Sequence, residues 1–176
     1  HDGIYQKPVP LSEEEVNSFY YGFCNGTLWP LYHDAIVTPE FHRHWWRPYV
    51  AVNRRYAEET AAVTGPGDIA WVQDYQLQLV PSMLREMQPD ATIGFYLHIP
   101  FPPIEVFSRL PWRRQILEGL LGADVIAFQT RQSADNFSRA ARRLAGAERT
   151  GTRELRWKNR QVLLQPAPIA IDTGEF

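Results

Sequence analysis

Trp71-Val72-Gln73-Asp74-Tyr75-Gln76 and Gly94-Phe95-Tyr96-Leu97-His98-Ile99-Pro100-Phe101-Pro102-Pro103 are two apolar runs that each stop on an ionisable side chain. Such a run reads as a buried strand that delivers one polar group at its carboxyl end. Between them Leu77, Val80, Met83, Leu84 and Met87 recur at helical spacing, so the unit is strand, helix, strand. Its crossover has the length that parallel pairing needs. Parallel sheets open their ligand crevice at the carboxyl ends of their strands. Asp74 and His98 are therefore expected at one crevice, a carboxylate and an imidazole set side by side by two strands.

Downstream, a short helix over about 103–109 precedes one over about 111–121, opened by Pro111 and closed by Gly122. Asp124 to Gln129 reads as a third buried strand, and a basic helix follows over about 130–145 with Arg131, Arg139, Arg142 and Arg143. Thr152 to Leu164 alternates around Lys158-Asn159 and predicts a hairpin, before Pro166, Pro168 and Gly174 mark an exit linker. Upstream, Ser12-Glu13-Glu14-Glu15 is a capping box that starts a helix over about 12–24, with Gly26 and the Trp29-Pro30 step expected to break it. His33 and Asp34 lead into a second helical region, which Thr38-Pro39 should start, Pro48 should kink or restart, and about Thr64 should end. Gly65-Pro66-Gly67-Asp68 is a turn. The β-α-β-α-β-α order predicts an α/β, Rossmann-like, doubly wound parallel sheet flanked by helices.

At 176 residues, with 44% hydrophobic residues, the chain can bury one sizeable core. A formal charge of −2 supplies no general basic field, so neither nucleic acid nor an anionic membrane is expected as a partner. No apolar run reaches the roughly 20 residues of a bilayer span and no signal peptide is visible, which makes the cytoplasm the default compartment. The lone Cys24 cannot form an internal disulfide and is expected to be a buried, inert thiol. Because the chain starts at His1 without an initiator Met, it reads as an excerpt of a longer polypeptide.

Asp74 has a bland reading as the cap of the next helix, but Gln73, Tyr75 and Gln76 around it are the hydrogen-bonding company that a polyhydroxylated ligand needs. His98 has a bland reading as a core histidine bonded to backbone carbonyls. Pro100, Pro102 and Pro103 instead suggest a ring held rigidly for a ligand. No metal site is expected, because no second histidine or cysteine stands near His98 at a ligand spacing, and His33, His42 and His44 fit no metal pattern. Tyr20, Trp29, Trp45 and Trp46 are mostly core material, although a phenol or an indole N–H can also hold a phosphate or a sugar at a pocket rim. Arg113-Arg114 reads as a solvated helix face. There is no Gly-rich phosphate loop, no Gly-x-Ser-x-Gly elbow and no glycosidase-like carboxylate pair.

Taken in order, Phe19 to His33 (FYYGFCNGTLWPLYH), Trp71 to Leu77 (WVQDYQL) and Leu97 to Pro102 (LHIPFP) resemble the trehalose-6-phosphate synthase family, as do Gly119 to Asp124 and Phe128-Gln129-Thr130. Gln73 and Gln76, where many members have histidine, resemble its actinobacterial branch. The resemblance implies a retaining glycosyltransferase of the two-lobed GT-B type, residues 1–165 being most of the acceptor-binding lobe and 166–176 a linker toward the nucleotide-sugar lobe. It implies glucose 6-phosphate as acceptor, UDP-, GDP- or ADP-glucose as donor and no cofactor, and it leaves a homo-oligomer open. On matching positions Tyr20 and Trp29 would contact the phosphate end of the acceptor, Asp74 its hydroxyls, and His98 the donor glucose. The family's glycine-rich loop and phosphate-binding arginine should precede His1, so the free chain is not expected to catalyse. Three other readings stand beside this one: a pseudo-glycosyltransferase coupling cyclitol phosphates, a non-catalytic sugar-phosphate sensor, and a bare interaction module with no ligand pocket at the strand ends.

Overall fold

Ile69–Gln73 forms β1 and Thr92–Leu97 forms β2, paired in parallel with Gln73 opposite Tyr96. The computed structural model describes residues 3–170 and 174, so residues 171–173, 175 and 176 of the predicted exit linker lie outside the described residues. Val125–Phe128 (β3) continues the parallel sheet beyond β2, and Arg160–Pro166 (β6) continues it beyond β3. Glu154–Trp157 (β5) and Glu148–Arg149 (β4) complete the order β1-β2-β3-β6-β5-β4. The predicted hairpin is therefore also a sheet extension: β6 pairs antiparallel with β5 and parallel with β3. Its turn holds Lys158 and Asn159 at φ +46° and +63°, the double left-handed bend that suits strand twist.

Alternation then decides which face is core. Ala70, Val72, Ile93, Phe95, Leu97, Ile126, Phe128, Val162 and Leu164 are buried beneath α4 (Val80–Met87), α6 (Arg113–Leu120) and α7 (Arg131–Ala140), the last continuing as Ala141–Ala145. Each of the Val, Leu, Ile and Phe side chains among them contributes about 1.5–3 kcal/mol of burial. On the other face Ile69 and Trp71 are 70% and 68% exposed and no described helix covers them. Helix α6 lies backbone to backbone on the crossover: a Cβ on Gly122 would stand 2.4 Å from the Ser82 nitrogen, and one on Gly119 2.5 Å from the Gln78 carbonyl oxygen. At the amino end of β3, Asp124 joins three pieces, accepting from the Ile93 N–H (2.8 Å), Arg85 (2.8 Å) and Arg160.

The amino-terminal capping box forms as read, with Ser12 Oγ accepting from the Glu15 N–H (3.2 Å) and Glu15 Oε2 from the Ser12 N–H (2.9 Å). The helix does not break where expected. It runs from α1 (Glu13–Glu15) through a π-helical segment, Val16–Leu28, into α2 (Trp29–Tyr32). Gly26 serves packing: a Cβ there would press to 3.1 Å from the Trp45 ring. The Trp29 N–H bonds back to the Cys24 carbonyl, and Pro30 falls in the first turn of the new segment, where no N–H is needed. The rod ends at His33, and Asp34 turns left-handed at φ +47°.

Helix α3 (Arg43–Ala61) starts later than Thr38-Pro39 and runs through Pro48 without restarting. The Thr27 hydroxyl bonds to the Glu40 carbonyl and the Glu40 N–H to the Gly26 carbonyl (3.0 Å), which pins residues near 40 to the rod instead of letting them coil. Phe23 meets Tyr49 (ring centroids 4.5 Å apart) and Trp46 (5.2 Å), so rod and α3 share an aromatic seam. Cys24 lies in that core as expected, fully buried.

Candidate active site

At the end of β1 the chain turns on Asp74, whose φ of +69° and ψ of 174° lie in a region left almost entirely to glycine. Its N–H still extends the ladder to the Tyr96 carbonyl (2.8 Å), and its carbonyl accepts from the Leu77 N–H (3.1 Å), closing a 3₁₀ turn over Tyr75–Leu77. The cap reading fails, because the Asp74 side chain makes no bond to that turn. Its Oδ1 reaches across to the other strand end and accepts from the His98 backbone N–H (3.1 Å).

His98 is not a core histidine either. It is exposed, and its Nε2 bonds to Gln73 Oε1 (2.8 Å) with no backbone carbonyl involved. The Tyr96 ring lies 4.5 Å away, centroid to centroid, and Tyr96 is itself held through its hydroxyl to the Ala167 carbonyl (2.6 Å). The proline turn behind is clamped by α7, with Ser133 Oγ accepting from the Phe101 N–H (3.2 Å) and Asn136 Nδ2 donating to its carbonyl (3.0 Å). Asp74 and His98 thus do meet at the carboxyl ends of adjacent parallel strands.

Tyr75 links this corner to the rod. Its hydroxyl donates to Asn25 Oδ1 (2.9 Å), and its pKa is pushed up to about 12, first by burial and then by the neighbouring Cys24, Tyr20 and Asp74. Burial, and after it the Asp74 charge, also pushes the Cys24 thiol up. Tyr20 is therefore within electrostatic reach of the corner, with its side chain 40% exposed. Trp29, 44% exposed, stacks on His33 at 4.2 Å, and no described bond or ring contact joins it to Asp74 or His98. It stands one helical turn beyond Asn25 on the rod.

A buried polar network supports the Asp74 turn from below. Tyr49 donates to the Tyr75 carbonyl (2.8 Å), Asn53 to the Gln76 carbonyl (2.9 Å), and Tyr32 to Gln78 Oε1 (2.7 Å), while Asn53 Oδ1 accepts from the Leu79 N–H (3.0 Å). Sequence reasoning did not single out Asn53 or Gln78. The one signal is negative: Asn53 is a polar residue on an otherwise apolar face of α3, and Gln78 stands between apolar Leu77 and Leu79. Among the described residues no group of three or more His, Cys, Asp or Glu side chains could hold a metal ion. No described helix is long and apolar enough to cross a membrane.

A Rossmann-like sheet carrying a carboxylate and an imidazole at adjacent strand ends, beside a helical rod, has the architecture of a GT-B glycosyltransferase lobe. Residues 2–176 match Glycosyltransferase family 20, and the chain belongs to that family. It is 53% identical over 99% of its length to the trehalose-6-phosphate synthase of Mycolicibacterium smegmatis, of which it spans 36%. Among solved structures it resembles the E. coli trehalose-6-phosphate protein bound with UDP-2-fluoro glucose (TM-score 0.88, 31% identity, 94% of this chain and 37% of that one). It also resembles the α,α-trehalose-phosphate synthase (UDP-forming) of Burkholderia xenovorans in complex with glucose-6-phosphate (TM-score 0.83, 29% identity, 90% and 36%). The chain thus spans little more than a third of the proteins it matches.

Proposed function

We propose that this chain is the acceptor-binding part of an enzyme that transfers glucose, with retention, from a nucleotide-glucose to glucose 6-phosphate, forming α,α-trehalose 6-phosphate. The observation that carries the reading is the Asp74 carboxylate: strained, turned away from the cap position and tied through one oxygen to the His98 N–H, it keeps its second oxygen for a ligand. A carboxylate accepting from sugar hydroxyls makes charge-assisted bonds roughly twice as strong as neutral ones. Asp74 binds the acceptor's hydroxyls, Tyr20 and Trp29 bind its phosphate end, and His98 meets the donor glucose. Residues 1–165 form the acceptor lobe and 166–176 lead out of it.

In the reaction, the anomeric hydroxyl oxygen of glucose 6-phosphate bonds to the donor's anomeric carbon on the face from which the nucleoside diphosphate leaves. The hydroxyl proton passes to the departing phosphate. No protein nucleophile is required, and the protein contributes by holding the two substrates face to face. The nucleotide-glucose is a substrate, and the reading assigns no cofactor, metal, nucleic acid or membrane to the site. Of UDP-, GDP- and ADP-glucose, the uridine donor is favoured by the likeness to the UDP-2-fluoro glucose complex. Cytoplasm is the compartment that fits these phosphorylated substrates.

Calorimetric titration of the intact enzyme that carries this chain with glucose 6-phosphate tests the acceptor assignment. Binding that is lost in Asp74→Asn supports it, and binding unchanged in that variant removes Asp74 from the site.

A further inference from the structure

We infer that Gln73 is a positioning residue: its side-chain carbonyl holds the His98 imidazole in the tautomer protonated on Nε2, leaving Nδ1 as an acceptor for a sugar hydroxyl. The inference rests on the reading above that His98 meets the donor sugar. It begins with register. Gln73 pairs with Tyr96 across β1 and β2, and His98 lies two residues beyond Tyr96, so all three side chains leave the same face of the sheet. Gln73 Oε1 then lies 2.8 Å from His98 Nε2. A carbonyl oxygen can only accept, so the proton of a neutral ring sits on Nε2 and the lone pair on Nδ1.

The rest of the corner keeps that choice in place. The His98 N–H is taken by Asp74 Oδ1 (3.1 Å), the Tyr96 ring backs the imidazole at 4.5 Å, and Nδ1 has no described partner. The consequence is selective. A ligand group facing Nδ1 must donate a hydrogen bond, which a hydroxyl does and a fluorine or ether oxygen does not.

Long-range ¹⁵N–¹H correlation of the imidazoles tests this on the chain itself, without ligand, at a pH well above the ordinary imidazole range. The wild-type chain should show His98 as one tautomer carrying its proton on Nε2. Gln73→Ala, a change at an exposed side chain, should convert His98 to a mixture of tautomers while the amide spectrum elsewhere stays put. Gln73→Glu, which can still accept, should restore the Nε2–H form. Wild-type His98 protonated on Nδ1, or the same Nε2–H signature in Gln73→Ala, would overturn the inference. Since no substrate is present, either result leaves the proposed transfer reaction standing, and a failure to detect transfer leaves the tautomer assignment standing.

Discussion

Asp74 carries backbone strain at the position that we propose binds the acceptor sugar. A non-glycine residue in its backbone region stores roughly 1–3 kcal/mol, and one hydrogen bond to an exposed N–H does not offset that. Asp74→Gly should therefore be more stable than Asp74→Ala in urea unfolding, by about 1 kcal/mol, because glycine relieves the strain that alanine keeps. Both variants should lose glucose 6-phosphate binding. Equal stabilities would show that the turn is unstrained, and retained binding in either would remove the carboxylate from the site. Asp74 and His98 were legible because each ends an apolar run, a pattern set by local burial. The Gln73 bond to His98 was not, because it depends on the β1–β2 register, which the two runs do not specify by themselves.

At the scale of elements, the α4–α6 contact is the most exacting. With Gly122 backed onto the Ser82 backbone, Gly122→Ala cannot be relieved by rotating a side chain, and it should destabilise the chain by about 1–3 kcal/mol. Gly26→Ala presses on the Trp45 ring at 3.1 Å and meets the Tyr21 carbonyl oxygen only at an ordinary 3.5 Å, so it should lose less; thermal unfolding of the two variants checks the ranking. The strands, the crossover and the hairpin were readable because period and turn residues agree there. The long rod was not, because π-helical register is a product of packing. Gly26 and Trp29-Pro30 look like punctuation in one dimension, and only Trp45 and the Thr27–Glu40 bond show why the helix continues and why α3 starts late.

For the whole molecule, the buried phenols are expected to weaken the fold at alkaline pH. Tyr75 holds its proton to about 12, against about 10 in the unfolded chain, and burial pushes Tyr32 and Tyr49 upward as well. A raised pKa means that the folded chain keeps protons that the unfolded chain releases. The stabilisation is full below pH about 10 and falls as pH climbs toward about 12. Urea midpoints across that window should decline, and Tyr75→Phe should decline less steeply; an identical slope would show that Tyr75 is not the group responsible.

Whether the lobe works as proposed is read most directly from the product of the intact enzyme that carries it. Offered glucose 6-phosphate with UDP-, GDP- or ADP-glucose, it should yield a disaccharide phosphate that NMR identifies as α,α-trehalose 6-phosphate, with both anomeric protons in the α configuration. Binding of glucose 6-phosphate with no transfer from any of the three donors would contradict the account and favour a sugar-phosphate sensor or a cyclitol-coupling enzyme.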